Sequence, residues 1–411
     1  MNPKSIKIID YSYNLLDKKI AKYPLANREQ SKLLVYEDSI ISEKKFNQIS
    51  EVVPDDSLLV VNNTKVIQAR MYFWKDTGAK IEIFCLNPVE PADYELAFSQ
   101  KNSCKWKCIV GNLKKWKNNY ITKKILIENT EYQINASRVG EEGNSQIVEF
   151  SWDGDITFGE ILENSGNTPI PPYLNRNPEK SDKTTYQTVY SEHKGSVAAP
   201  TAGLHFTDAV FESLKAKNID IAKLTLHVGA GTFKPVKSEE IGEHEMHTEQ
   251  FFVTKETLNQ LIENIGKTTS VGTTSMRTLE SLYWLGVKIH EKLLSDTFKL
   301  SDSSGLFISQ WEVYDLPQNI DTRTAFLSLL KYLEAQNTDF LEASTQIIIA
   351  PGYKFKVVNN LITNFHQPKS TLLLLVSAFI GDDWKKVYNY ALENNFRFLS
   401  YGDSSFLKRN N

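Results

Sequence analysis

Between Leu58 and Trp152 the chain runs through LLVVN, KIEIFCL, YELAF, KWKCIV, YITKKILI, EYQINASRV and SQIVEFSW, short apolar-alternating segments parted by turn residues. That spacing belongs to a sandwich or barrel, and no stretch between the segments shows a convincing helical period. An all-β domain is expected over roughly residues 66–151. Beyond it the texture changes. Thr207 is placed to cap a helix TDAVFESLKAK, with Asp208 in its first turn and Val210, Phe211 and Leu214 on its buried face. IAKLTLHVG reads as a strand, TKETLNQLIENI as a helix, and SVGTT as a strand before the helix MRTLESLYWL. IIIAP, LITNFH, a helix begun by Ser370, the helix DDWKKVYNYALENN and FRFLSYG follow. Strands alternating with helices argue for α/β layers. The first sixty residues fit either part.

A chain of 411 residues is long for one core, so two domains are expected. The N-terminal MNPKSIKIIDYSYNLL has neither an apolar core nor a small-residue cleavage site, so no export signal is read. The run LLLLV is too short to span a bilayer. Cys85, Cys104 and Cys108 cannot all pair within the chain and lack redox or metal spacing, so reduced thiols and a cytoplasmic location are expected. A formal net charge of -3 advertises no nucleic-acid partner, and any such site has to be local.

One local candidate is KNSCKWKCIVGNLKKWKNNYITKK, residues 101–124, rich in lysine and without an acid. Lys105, Lys107, Lys114, Lys115 and Lys117 offer phosphate neutralisation, and Trp106, Trp116 and Tyr120 offer stacking faces. The same pattern also fits a solvated face of a barrel.

Five of the seven histidines fall in compact motifs of the α/β part: His205, His227, His244, His247 and His366. Histidine moves protons near neutral pH, and strand ends of α/β folds are where ligands bind. Each alone also fits a hydrogen-bonded structural role. HEMH is one residue too short for the HExxH zinc helix and has no cysteine pair beside it, so no catalytic metal is expected. Gly229 and Gly231 form a GxG, which serves either a tight turn or close backbone approach of a ligand. Gly272 to Ser275 stand where a strand meets a helix, a place that favours an anionic group. Arg277 and Glu280, three apart, are spaced either to pair or to leave Arg277 for that anion. Ala198 to Gly203 make a packed stretch of small residues in SVAAPTAGLHFT, open to close approach by a neighbour or a ligand.

Taken in order, ANREQSKLLV (26–35), NNTKVIQARM (62–71), PPYLNR (171–176), TTYQTVY (184–190), GSVAAPTAGLHFT (195–207), LHVGAGTFKPV (226–236), HEMHTE (244–249), VGTTSMRTLES (271–281), the stretch 350–379 and FRFLSYGD (396–403) resemble the S-adenosylmethionine:tRNA ribosyltransferase-isomerases of queuosine biosynthesis. The resemblance covers nearly the whole chain. It implies a barrel-like, discontinuous α/β catalytic domain, residues 1–65 and 152–411, around an inserted β-barrel domain at 66–151. It implies a transferase that moves and isomerises the ribosyl group of S-adenosylmethionine onto a 7-aminomethyl-7-deazaguanine at the tRNA wobble position, giving epoxyqueuosine, adenine and methionine. tRNA and S-adenosylmethionine are then the partners, with no other cofactor and a monomer favoured.

Carried over by position, the implied proton-handling residues are His205 and His247 first, then His227, His244, Glu249 and His366. The implied substrate-binding residues are Thr201, Gly203, Gly229, Gly231, Thr274, Arg277 and Asn364, with Arg277 on the methionine carboxylate through two hydrogen bonds and His205 aimed at nucleoside parts along Ala199 to Gly203. The sequence departs from the family pattern at three places. Residues 282–345 are longer than the usual connection and include DTRTAFLSLLKYLEAQ, with Phe326, Leu329, Leu330 and Leu333 on one face; a lid, an oligomer contact and an RNA contact are its open readings. VGNLKKWKNN stands where an Arg-Pro-Gly-Lys-like loop is usual, and Asn63 where Asp is usual. A paralogue with another acceptor and a non-catalytic RNA-binding protein are the alternative readings.

Overall fold

The segments LLVVN, TTSV and NLITN are buried along their whole length, as strands must be when both faces of a parallel sheet are covered. They form the middle of the larger sheet. This computed structural model describes residues 2–117, 120–229, 231, 236–293 and 306–409. The parallel centre runs Asp220–Leu226, Leu58–Asn62, Thr268–Val271, Asn360–Asn364. Antiparallel partners extend it on one side through Glu249–Thr254 and Phe340–Thr345, and on the other through Ser404–Lys408, which lies parallel to Lys32–Glu37. Because the four central strands share a direction, their C-terminal ends open onto one edge, where His227, Gly272 and Asn364 gather.

The helix Gly272–Leu293 crosses this sheet and is buried on nearly all sides. Helix Thr322–Gln336 packs on it so closely that a Cβ on Gly286 would stand 2.3 Å from the Ala325 carbonyl oxygen. Phe326, Leu329 and Leu333 are buried and Leu330 is partly so. The apolar face of DTRTAFLSLLKYLEAQ is thus covered within the chain; residues 294–305 of the same insertion lie outside the described residues.

The second sheet is antiparallel and curled, in the order Gly166–Asn167, Arg70–Trp74, Lys80–Glu90, Ser103–Gly111, Ser145–Trp152, Thr130–Glu142, Tyr120–Ile127. Its last strand comes back against Arg70–Trp74. It has its own core, which includes Trp106, Trp116, Phe150 and the helix Phe158–Ser165. Among the described residues neither sheet closes into a hydrogen-bonded ring, so the barrel-like closure expected of the α/β part is an open mixed sheet. YELAF, read as a strand, is the helix Tyr94–Ser99: Asp93 caps it by accepting from Leu96 N at 2.8 Å, and burial at Tyr94 and Ala97 follows a three-residue spacing while Leu96 is exposed. IIIAP continues past the strand Phe340–Thr345, and FRFLSYG precedes Ser404–Lys408 rather than forming it. The helix starts at Thr207, Thr254 and Ser370 hold, each of these residues accepting a capping hydrogen bond. The helix read from Met276 already begins at Gly272, so the end of SVGTT is helix rather than strand, and the helix read from Asp382 begins at Trp384. All three cysteines are free and buried in the curled sheet, and burial pushes the Cys104 and Cys108 thiols up.

Candidate functional site

At the shared strand edge a small cavity of about 80 Å³ is lined by Ala198 to Ala202, Gly272 to Thr274, Thr363 to Gln367, and Val228. The small residues do line open space, but not all of them. A Cβ on Gly203 would stand 1.9 Å from the Tyr190 hydroxyl, so Gly203 is small to admit Tyr190 and faces away from the cavity. Thr201 donates to Asn364 Oδ1 at 2.9 Å, and both line the cavity. The Thr274 Oγ1 is buried there without a partner among the described residues.

His205 lies behind this wall. The residue is 4% exposed, its ring tilted against Phe46, and it has Ser31 Oγ at 2.8 Å from Nδ1 and Asn364 Nδ2 at 3.1 Å from Nε2. Burial lowers its pKa to about 4. The ring lines neither strand-edge cavity, which corrects the expectation that it is aimed at a ligand along Ala199 to Gly203. His366 does line the smaller one; its Nε2 is 3.0 Å from Thr363 Oγ1, its backbone is held by Tyr13 and Tyr388, and burial lowers its pKa to about 3.

A larger cavity of about 440 Å³ adjoins it at Leu372 and contains the charged groups. His244, His247, Glu249, Arg277 and Ser238 line it, together with Asn144 from a hairpin of the curled sheet. Arg277 Nη1 pairs with Glu249 Oε2, Nε donates to the Ile347 carbonyl at 3.2 Å, and Nη2 is buried without a partner among the described residues. Glu249 Oε1 accepts Gly229 N at 3.2 Å. Glu280, the other partner considered for Arg277, is elsewhere: it accepts from Lys356 N, Val357 N, Val358 N and the Tyr353 hydroxyl, and burial raises its pKa. The two-point grip of Arg277 on a carboxylate is thereby narrowed to the nitrogen that Glu249 and Ile347 leave over. Gly231 is small because the His247 ring occupies the place of a Cβ, whereas a Cβ on Gly229 would meet nothing within 4 Å among the described residues. Burial and His247 lower the pKa of His244. Among the described residues no three His, Cys, Asp or Glu side chains converge as a metal site. The rest of the GAGTFKP turn, Ala230 and Thr232 to Pro235, lies outside the described residues.

His227 faces the other side of the sheet. Gln250 and Phe252 share that side with it, while Val228 and Glu249, one residue on and one residue back, face the two cavities above. Its Nδ1 is 2.9 Å from Thr64 Oγ1, burial lowers its pKa to about 4, and it lines a cleft of about 810 Å³ between Tyr94 of the helix Tyr94–Ser99 and the strand Glu249–Thr254. Asn63 stands beside it, donating to Glu192 Oε2 at 2.9 Å and accepting from Thr225 Oγ1 at 2.6 Å. An aspartate at this position would set two carboxylates against each other.

The lysine segment divides. Lys105 pairs with Glu90 on the adjacent strand Lys80–Glu90 and Lys107 with Glu142 on Thr130–Glu142, the next strand but one, acids that no window on the segment alone contains. Trp106 and Trp116 are core residues, which corrects their reading as stacking faces; Tyr120 is 59% exposed. Lys114, Lys115 and Lys117 are exposed at one end of the curled sheet. Asn118 and Asn119 of that loop lie outside the described residues. Sequence reasoning missed Ser31, Ser238 and Asn144: Ser31 lies within the motif ANREQSKLLV but nothing in the motif singles it out, and only the fold brings the three to the site.

The family described as queuosine biosynthesis protein matches residues 8–315 and 322–407. Among solved structures, the S-adenosylmethionine tRNA ribosyltransferase of Thermotoga maritima is similar at 25% identity, covering 97% of this chain and 99% of that one with a TM-score of 0.44. No helix among the described residues is long and apolar enough to cross a membrane.

Proposed function

The chain belongs to the queuosine biosynthesis protein family, and we propose that it transfers and isomerises the ribosyl group of S-adenosylmethionine onto a 7-aminomethyl-7-deazaguanine at the wobble position of tRNA, yielding epoxyqueuosine, adenine and methionine. Membership supports the pathway; one feature of the site supports the donor. The buried Arg277 Nη2, unpartnered among the described residues and lining the larger cavity, offers a charge-assisted donor to a carboxylate. The adjoining cavity of small residues takes the nucleoside end.

The reaction needs a proton removed beside the sulfonium, a neutral amine on the acceptor, and a proton delivered to adenine as it leaves. The sulfonium activates its own neighbouring carbon, so the chemistry proceeds without a metal or redox partner. The groups placed for proton handling are His366 at the smaller cavity and His244 and His247 at the larger one. Glu249 holds Arg277 in position. The tRNA enters from the curled sheet, whose Asn144 reaches the larger cavity and whose Lys114, Lys115 and Lys117 are exposed. A tRNA substrate implies a cytoplasmic location.

The test is incubation with S-adenosylmethionine and tRNA carrying the aminomethyl base, followed by mass analysis of the digested nucleosides and detection of free adenine. Epoxyqueuosine with equimolar adenine is expected. Bound S-adenosylmethionine with no product would move the protein to a different acceptor.

A further inference from the structure

The hydrogen bonds behind the smaller cavity run in one direction. Asn364 Nδ2 is 3.5 Å from the Asp403 carbonyl oxygen, which can only accept, and 3.1 Å from His205 Nε2. The amide nitrogen therefore sits on that side, and Nε2 has to accept from it. His205 then carries its proton on Nδ1 and donates to Ser31 Oγ at 2.8 Å. On the opposite side of the amide, Asn364 Oδ1 accepts the Thr201 hydroxyl at 2.9 Å. The Thr201 hydrogen is used in that bond, so what its hydroxyl keeps for the cavity is its lone pairs. Neither alternative fits: the Nε2–H tautomer would set an N–H against the amide N–H, and burial disfavours the imidazolium near neutral pH.

We propose that Ser31, His205 and Asn364 are positioning residues which hold the Thr201 hydroxyl as an obligate hydrogen-bond acceptor, and that Thr201 there recognises a donor hydroxyl on the sugar of the bound nucleoside. The identity of the ligand rests on the function proposed above; the direction of the relay does not. Thr274 makes the contrast within the same cavity: its hydroxyl has no partner among the described residues and is free to donate or accept. His205 lines neither strand-edge cavity, so its part in the reaction is to set the polarity of the wall.

Two measurements test this. Long-range ¹⁵N–¹H correlation spectra of the histidine rings, assigned with the His205→Phe variant, are expected to show His205 with Nδ1 protonated and Nε2 bare from pH 8 to 5. The other tautomer, or an imidazolium in that range, overturns the relay. In parallel, calorimetry compares S-adenosylmethionine with its 2′-deoxy and 3′-deoxy forms on the wild type, Thr201→Val, Thr201→Ser and His205→Phe, each variant checked for a native circular dichroism spectrum. One deoxy form is expected to bind the wild type about tenfold more weakly than S-adenosylmethionine. Thr201→Ser keeps that discrimination, while Thr201→Val and His205→Phe lose it. Equal discrimination by all four proteins overturns the proposal. Loss in Thr201→Val with retention in His205→Phe removes His205 from it. A wild type that binds none of the three ligands refutes the donor and with it the sugar assignment, and the ring spectra then decide the relay by themselves.

Discussion

The two sheets handle charge in opposite ways. At the strand edge of the larger sheet the ionic groups are buried: Arg277 and Glu249 have side chains only 8% and 4% exposed, and each is held by further backbone contacts. On the curled sheet, ion pairs such as Lys107 with Glu142 and Lys124 with Glu131 lie in solvent, and the interior is aromatic and aliphatic. A charge removed from the first region strands its partner in a low-dielectric setting; a charge removed from the second is replaced by water.

Acid should expose this contrast most strongly. His205, His227 and His366 have pKa values lowered by burial to about 4, about 4 and about 3. Between these values and the ordinary 6.5, the unfolded chain binds protons that the folded chain does not. Stability is therefore held above pH 6.5 and falls as pH drops toward 4, by as much as about 4 kcal/mol per pH unit from the three groups together. Urea denaturation at pH 7, 6 and 5 reads this slope, and a flat profile would contradict the burial of these rings.

The buried ion pair comes next. Glu249→Ala should cost about 3–5 kcal/mol in the same assay, and Glu249→Leu with Arg277→Met should recover most of it while abolishing S-adenosylmethionine binding. Loss of stability by the double variant as large as that of the single would deny the pair its stranded-charge character. A third comparison uses two glycines. Gly286→Ala drives a methyl into the Ala325 carbonyl at 2.3 Å and should lower stability by about 1–3 kcal/mol, whereas on the curled sheet Gly140→Ala meets Ile147 at an ordinary 3.6 Å and should leave the Tm unchanged. Smallest in stability are the lysines. Lys105→Ala and Lys107→Ala should melt with the wild type, while Lys114→Ala, Lys115→Ala and Lys117→Ala together should weaken tRNA binding. Their removal should also reduce its dependence on salt concentration by roughly one in log–log slope for each phosphate left unneutralised. Unchanged salt dependence would move the docking face elsewhere.

Much of the fold was legible because its signals are local. A capping threonine or serine followed by a periodic apolar face identifies a helix start without reference to anything distant, and Thr207, Thr254 and Ser370 behave accordingly. Among the local misreadings, YELAF came from an alternation that Asp93 outweighed as a helix cap, and the end of SVGTT, read as strand, is the first turn of the helix Gly272–Leu293. The site was legible in its inventory but not in its pairings. Arg277 was visible as an anion site or ion-pair member, yet its partner is Glu249, twenty-eight residues away, rather than Glu280 on its own helix. His205 was visible as a polar residue in a motif, and nothing near it in the chain predicted Ser31 or Asn364 at its two nitrogens.

By itself, then, the amino-acid sequence determined the family, the alternation of strands and helices, the all-β stretch and the set of polar residues available for chemistry, since each depends on residue type and short spacing. The tertiary structure decided which histidine faces a cavity, which lysines are neutralised, which glycine is small for a tyrosine and which for a histidine, and which hydroxyl can only accept. Those properties depend on burial and on partners brought together across parallel strands, and a hydrogen bond or a desolvation penalty is set by what lies within a few ångströms in space, whatever its distance along the chain.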